Sequence, residues 1–239
     1  MSTPGFLASV ANLDEMETVL ACGVDIVDLK NPSEGALGAW PEDRLKEAVT
    51  RWRAHLPGPN LSATVGDHPL DAARLAAAAA RTAATGVPLV KIGFALPRHG
   101  AEAALAPCLS ALAPIARDTR LIAVLFADQA PDIELVPAFA AAGFAGIMLD
   151  TADKAAGSLR AHLAEATLAR FVELARRHKL MTGLAGSLKL PDVAPLAALH
   201  PDYLGFRGAL CAEGRTGALD PDRLAAVARA LSASCGIAA

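Results

Sequence analysis

Lysine is scarce in this chain: six lysines stand against sixteen arginines in 239 residues. Large polar aromatics are scarcer still, limited to Tyr203, Trp40 and Trp52. That is too few to line a stacking groove for single-stranded nucleic acid or for sugars. The four cysteines (Cys22, Cys108, Cys211, Cys235) form no CxxC pair, and the six histidines form no HxH or HExxH. Metal-ligand spacing is therefore absent, no zinc site is expected, and the thiols read as reduced. A net charge of −3 and a pI near 6.1 leave no footprint for nucleic acid. The one dense basic cluster, Arg176-Arg177-His178-Lys179, suits the C-terminal end of a helix. The longest uncharged apolar run lies between Glu134 and Asp150 and is broken by Pro137 and Gly143. It falls short of the roughly 20 residues a membrane helix needs. No basic segment precedes Phe6-Leu7, so no signal peptide is read. The expectation is a soluble, cytoplasmic protein without nucleic-acid or membrane partners.

What the chain does have is hydrophobic content of 53%, much of it in 55 alanines. Apolar runs at Phe6–Val10, Asp25–Lys30, Leu61–Gly66, Leu89–Phe94, Leu121–Phe126, Gly146–Asp150, Met181–Gly186 and Tyr203–Gly208 read as strands. They are nearly continuous rather than alternating, as in parallel strands buried on both faces. Helical stretches fall between them, at roughly 13–22, 41–54, 70–84, 101–116, 132–142, 160–179, 191–199 and 219–233. Pro41, Pro131, Pro191-Asp192 and Asp220-Pro221-Asp222 are helix-start signals, and Gly23, Gly86 and Gly143 each close a helix before a strand. Strict alternation predicts a parallel α/β fold, and a closed TIM (β/α)₈ barrel of about 200–250 residues is one domain. A single barrel over 1–239 is the expectation; a doubly wound open sheet is the alternative.

In such a barrel the reactive groups belong at the C-terminal ends of the strands. Four of the six lysines, Lys30, Lys91, Lys154 and Lys189, fall at strand ends or in the loops just after them. An arginine can neither form a Schiff base nor lose its proton near neutral pH, whereas a crowded, partly buried lysine can. Asp28 precedes Lys30 by two residues, so both side chains face the barrel interior, a nucleophile beside a carboxylate that could shuttle its protons. Lys91 lies inside the fourth strand, and Asp150 ends the sixth with Lys154 four residues on. Mutual repulsion and desolvation both lower lysine pKa values. The bland alternative for any one pair is a buried plug in the barrel.

The loops after strands 7 and 8 read Ala185-Gly186-Ser187 and Gly205-Phe206-Arg207-Gly208-Ala209. Small residues there let backbone N–H groups approach an anion, and barrels often bind phosphate at these two loops. Gly186, Ser187, Arg207, Gly208 and Ala209, together with Ser9 and Asn31, are the candidate substrate and phosphate ligands. The segment from Asn31 to Ala39 is long enough to act as a lid or substrate-contacting loop.

These strand-end sequences have a counterpart. Asp28-Leu29-Lys30-Asn31-Pro32, Glu34-Gly35-Ala36-Leu37-Gly38-Ala39, Leu61-Ser62-Ala63-Thr64-Val65-Gly66-Asp67, Val90-Lys91-Ile92-Gly93, Met148-Leu149-Asp150-Thr151-Ala152 and Ala185-Gly186-Ser187 resemble the (5-formylfuran-3-yl)methyl phosphate synthase family. The resemblance runs from about Phe6 to Ala230. It implies a TIM barrel that needs no metal or organic cofactor and acts in methanofuran biosynthesis. Two molecules of glyceraldehyde 3-phosphate would join into a phosphorylated furan aldehyde with loss of phosphate and water. It also implies that Lys30 is the Schiff-base lysine and Lys91 the proton-transfer lysine, with Asp28, Asp150 and Lys154 completing the acid/base and phosphate-handling set. The departures lie in the helices and around Pro97-Arg98-His99.

Spacing and composition alone reach only to lysine-dependent carbon–carbon chemistry on a phosphorylated carbonyl compound. A class I aldolase or transaldolase-like enzyme shares those features, and a cofactor-free sugar-phosphate isomerase shares the carboxylates. A phosphometabolite-binding protein shares the loops. A small-molecule substrate is the expected partner, with a homo-oligomer as the default assembly.

Overall fold

A computed structural model describes residues 3–234; Cys235 lies outside them. Eight strands form in chain order: β1 (Gly5–Val10), β2 (Ile26–Leu29), β3 (Asn60–Thr64), β4 (Leu89–Phe94), β5 (Arg120–Phe126), β6 (Gly146–Asp150), β7 (Met181–Leu184) and β8 (Tyr203–Phe206). Each pairs in parallel with the next, and β8 returns to β1, with Gly5 opposite Tyr203 and Ala8 opposite Phe206. That last pairing closes the barrel and rules out the open sheet.

The helices around it are α1 (Leu13–Leu20), α2 (Glu42–Arg53), α3 (Ala72–Ala83), α4 (Ala101–Ala116), α5 (Val136–Ala141), α6 (Leu159–His162), α7 (Glu165–Arg177), α8 (Val193–Ala197) and α9 (Pro221–Ser234). Two starts follow from side-chain caps: Asn12 accepts from the Glu15 N–H before α1, and Asp71 from the Arg74 N–H before α3. Gly23, Gly86 and Gly143 take φ values of 71°, 87° and 86°, the left-handed conformation a helix exit uses. The basic cluster does end a helix, and Arg176 and Arg177 both pair with Glu173 one turn earlier. The stretch expected as one helix over 160–179 is instead two, because Leu163 and Ala164 adopt extended backbone between α6 and α7. The expected helix over 132–142 likewise begins as a 3-10 turn, Ile133–Leu135, before α5.

Both faces of the strands are buried, which is why the runs read as continuous. Outward residues such as Val27, Leu61, Val90 and Ile92 join Met16, Leu45 and Leu75 of the helices in one core. Inward residues Leu7, Ile26, Leu89, Ile122, Val124, Met148 and Tyr203 form a second cluster inside the barrel. The Tyr203 ring lies over Gly183, where a Cβ would sit 2.4 Å from the ring. Its hydroxyl faces the Met148 sulfur at 3.7 Å. Burial raises the Tyr203 pKa well above its ordinary value, so the phenol stays neutral. Above this apolar floor the inward positions turn polar: Ser9, Asp28, Ser62, Thr64 and Lys91, all buried.

Gly183→Ala is expected to destabilise the fold by about 1–3 kcal/mol, the usual range for overpacking. Urea denaturation checks it, and Gly183→Ala with Tyr203→Leu should recover part of the loss. An unchanged midpoint for the single variant would show that the ring has room to move.

Candidate active site

Asp28 is fully buried, and its carboxylate is held from three sides. The Ser9 hydroxyl donates to Oδ2 at 2.8 Å, the Ser62 hydroxyl donates to Oδ1 at 2.6 Å, and Lys91 Nζ stands 3.0 Å from Oδ2. Burial pushes the Asp28 pKa up, but Lys91, Lys30 and the two hydroxyls outweigh it and hold it below the ordinary range. For Lys91 the balance goes the other way. Burial lowers its pKa, Asp28 opposes that, and the nearby Lys30 charge lowers it further; the net direction is down.

Asp150 anchors a second group. Its Oδ2 lies 3.3 Å from Lys30 Nζ, and its Oδ1 accepts from Lys154 Nζ and from the Thr151 N–H. Burial would raise the Asp150 pKa; Lys154, Lys30 and the bond from Lys154 override this and hold it far below the carboxylate range. Lys154 is pushed down to about 8, by burial first and the Lys30 charge next, against the pull of Asp150. Its loop is fixed from two sides. The Asp128 carboxylate accepts from the N–H groups of Ala152 and Asp153, and the Ser187 hydroxyl donates to the Lys154 carbonyl.

The pairing differs from the one expected from sequence. Lys30 stands against Asp150 rather than Asp28, and Asp28 belongs to Lys91. Residues two apart on a strand are separated by about 6.6 Å. Barrel tilt meanwhile brings neighbouring strands level, with Asp28 beside Ser62 and Thr64 beside Lys91.

Lys30, Lys91, Asp150 and Lys154 line one cavity of about 540 Å³ together with Gly186, Ser187, Gly208 and Ala209. The N–H groups of these last four find no acceptor among the described residues. Gly186 takes φ 108°, and a Cβ there would press on Thr151 at 2.9 Å, so the turn requires glycine. Backbone N–H groups without a protein acceptor at the wall of a cavity are donors a phosphate can use.

Three expected ligands are placed differently. Arg207 spends its guanidinium on protein: bidentate on Glu15, and on the carbonyls of Ser9, Arg215 and Gly217. All five of its donors are used, so Arg207 braces the β8 loop. Ser9 lines the cavity, but its hydroxyl proton goes to Asp28. Asn31 stands outside the cavity wall, its side-chain oxygen accepting from the Ser33 N–H and its own N–H donating to the Gly38 carbonyl. The 31–39 loop is pinned rather than poised as a free lid. Leu37 is buried among the inward residues, its N–H donates to the Asp67 carboxylate, and the Gly38 carbonyl accepts from the Thr64 hydroxyl. Arg215, not singled out from the sequence, also lines the cavity and donates to the Gly35 carbonyl across the mouth.

The sequence matches the family described as 4-HFC-P synthase over residues 6–228. The chain belongs to that family. The 4-HFC-P synthases are the furan phosphate synthases of methanofuran biosynthesis, so the chain is an enzyme of that class. It is 43% identical over 232 residues to a Methylorubrum extorquens relative, covering 96% of this chain and 92% of that one. It is 35% identical over 221 residues to the (5-formylfuran-3-yl)methyl phosphate synthase of Methanopyrus kandleri, covering 88% and 91%. Among solved structures, phosphoribosyl anthranilate isomerase from Thermus thermophilus superposes with a TM-score of 0.64 at 13% identity, covering 96% of this chain and 98% of that one. That likeness is one of fold. Among the described residues of this family member no helix is long and apolar enough to cross a membrane.

For this 4-HFC-P synthase, Arg207→Met should cost about 3–5 kcal/mol in folding free energy, because Glu15 would be left buried and unpaired. Thermal and urea unfolding measure it. A variant as stable as the parent but weak in phosphate binding would return Arg207 to the ligand set.

Proposed function

We propose that the chain condenses two molecules of glyceraldehyde 3-phosphate into (5-formylfuran-3-yl)methyl phosphate, through a Schiff base on Lys30, in the cytoplasm. The observation that carries this reading is one cavity lined by Lys30, Lys91, Lys154 and Asp150 that also presents a backbone N–H cradle, with Asp28 buried behind Lys91. Family membership supports the furan product; the amines support the route.

Lys30 Nζ attacks the aldehyde carbon of one triose, and the carbinolamine loses water to give an iminium. The iminium withdraws electrons and acidifies the neighbouring C–H bond. Lys91, whose burial favours the neutral amine, takes that proton, with Asp28 steadying the ammonium it becomes. The resulting enamine expels the phosphate from C3 of that triose. The enol that remains uses C3 to attack the C2 carbonyl of the second triose, which a proton shift from C2 to C1 has turned into its ketone. The C1 hydroxyl of the second triose then adds to the C2 carbonyl of the first, and two waters leave to give the furan. Lys154 delivers protons to departing oxygens as carbon–oxygen bonds break, which makes the enzyme a lyase. Asp150 remains a carboxylate throughout and holds Lys154 and Lys30 in place. Hydrolysis of the imine releases the aldehyde and restores Lys30.

Incubation with glyceraldehyde 3-phosphate should yield a product with near-ultraviolet furan-aldehyde absorption and the corresponding mass. Borohydride should add substrate mass to the Lys30 peptide. Lys91→Arg keeps the charge but loses the proton-transfer amine. It should still be labelled, yet turn over at least about a hundredfold more slowly, the lower end of general acid–base contributions. A hydroxylated sugar phosphate as product would point to an aldolase, and label on Lys91 or Lys154 would overturn the assigned roles.

The pH profile tests Lys154. Its ammonium is intact below about 8 and lost above it, so kcat/KM should fall as pH rises through about 8. Lys154→Arg, which cannot lose its proton, should be slower and lack that limb. Retention of the same limb in Lys154→Arg would assign it to another group.

A further inference from the structure

Seven cationic side chains line the cavity against the single carboxylate of Asp150. Some of that charge is already matched within the protein. Arg207 is neutralised by Glu15, Lys91 by Asp28, Arg223 lies 3.8 Å from Asp220, and Asp150 can match only one of Lys30 and Lys154. The remainder sits on the Lys30–Lys154 pair, on Lys189 and on Arg215. Arg215 differs from the others in where it stands. Its Cβ lies 3.8 Å from the position a Cβ on Gly208 would take, so its side chain starts beside the N–H cradle. It then runs across the mouth to the Gly35 carbonyl, 2.8 Å from its Nη2. Its remaining guanidinium donors find no acceptor among the described residues. The Gly35 contact holds its guanidinium at the β2 side of the mouth, a side chain's length from the Gly208 end of the cradle. The backbone beneath it is fixed: its carbonyl accepts from Arg207 Nε, and the flanking strand-like pair Cys211–Leu219 closes the hairpin that carries it.

We infer that the Arg215 guanidinium forms a second anion subsite at the β2 side of the mouth, apart from the N–H groups of the Gly186–Ala209 cradle, and takes the phosphate of the second triose. This rests on the condensation proposed above, in which two phosphorylated molecules occupy one cavity together. Two phosphates cannot share the four cradle N–H groups without bringing their charges into contact, and each needs its own positive pole. The planar fork of arginine suits a phosphate bidentately, and the Gly35 contact leaves enough of it free to do so.

Inorganic phosphate is the probe, counted by isothermal titration calorimetry on the folded protein. Wild type should take two equivalents, Arg215→Met one, and Gly208→Val one. Arg215→Lys should restore the second site at reduced affinity. In turnover, Arg215→Met should raise KM for glyceraldehyde 3-phosphate at least tenfold while leaving the borohydride-trapped adduct on Lys30 at wild-type yield, since the first triose keeps its cradle. Wild type binding a single equivalent, or Arg215→Met still binding two, overturns the subsite. The two readings fail separately: two phosphates bound without any furan formed would sink the proposed condensation and keep the subsite. Furan formation unimpaired in Arg215→Met would sink the subsite and keep the condensation.

Discussion

An ammonium inside a parallel barrel is tolerable only where a carboxylate shares its enclosure, and the upper half of this barrel is built around that requirement. Asp28 and Asp150 sit on strands on opposite sides of the ring, and each stands beside at least one lysine. The carboxylates in turn need donors for their remaining lone pairs, which Ser9, Ser62 and the Thr151 N–H supply. Three lysines share two carboxylates, so one amine has no carboxylate to itself. That surplus amine is what a phosphorylated carbonyl compound can meet.

The same requirement explains why the surroundings are rigid. A lysine that must present its nitrogen within about 3 Å of a reacting atom cannot sit on a wandering loop. Lys154 lies outside the strands, and Asp128, Ser187 and Asp150 hold its segment from three directions. The 31–39 segment, which follows Lys30 directly, is fastened by Leu37 inside the barrel and by Asp67 and Thr64 at its edge. Small residues make the close approaches possible. Leu37 occupies the space that a side chain on Gly93 would fill, with a Cβ there 2.6 Å from its Cδ1.

The barrel was legible because burial on both faces of each strand writes itself into the sequence as an unbroken apolar run. The reactive residues were legible because lysine is rare here and its survivors cluster at strand ends. Partner identity was not legible: Lys30 and Asp28 are neighbours in sequence, yet barrel tilt gives Lys30 to Asp150, 120 residues away. Arg207 illustrates a second limit. Its position after β8 suggested an anion ligand, and only the three-dimensional neighbourhood shows Glu15 and three carbonyls taking up its donors. Arg215 escaped notice because it lies in an irregular hairpin, where no periodicity marks which side chain turns inward. The break between α6 and α7 carries neither proline nor glycine, so nothing local announced it.

The Glu15–Arg207 pair spans 192 residues of chain. Glu15 is synthesised long before Arg207, the guanidinium that neutralises it, which lies in the loop just after β8. Until then its carboxylate must stay in water, and the first β/α unit cannot settle into its final packing. This barrel therefore cannot be completed piecemeal during synthesis. Its closure waits for β8 and the loop after it, and the long-range contacts that seal it place folding toward the slow end of the range.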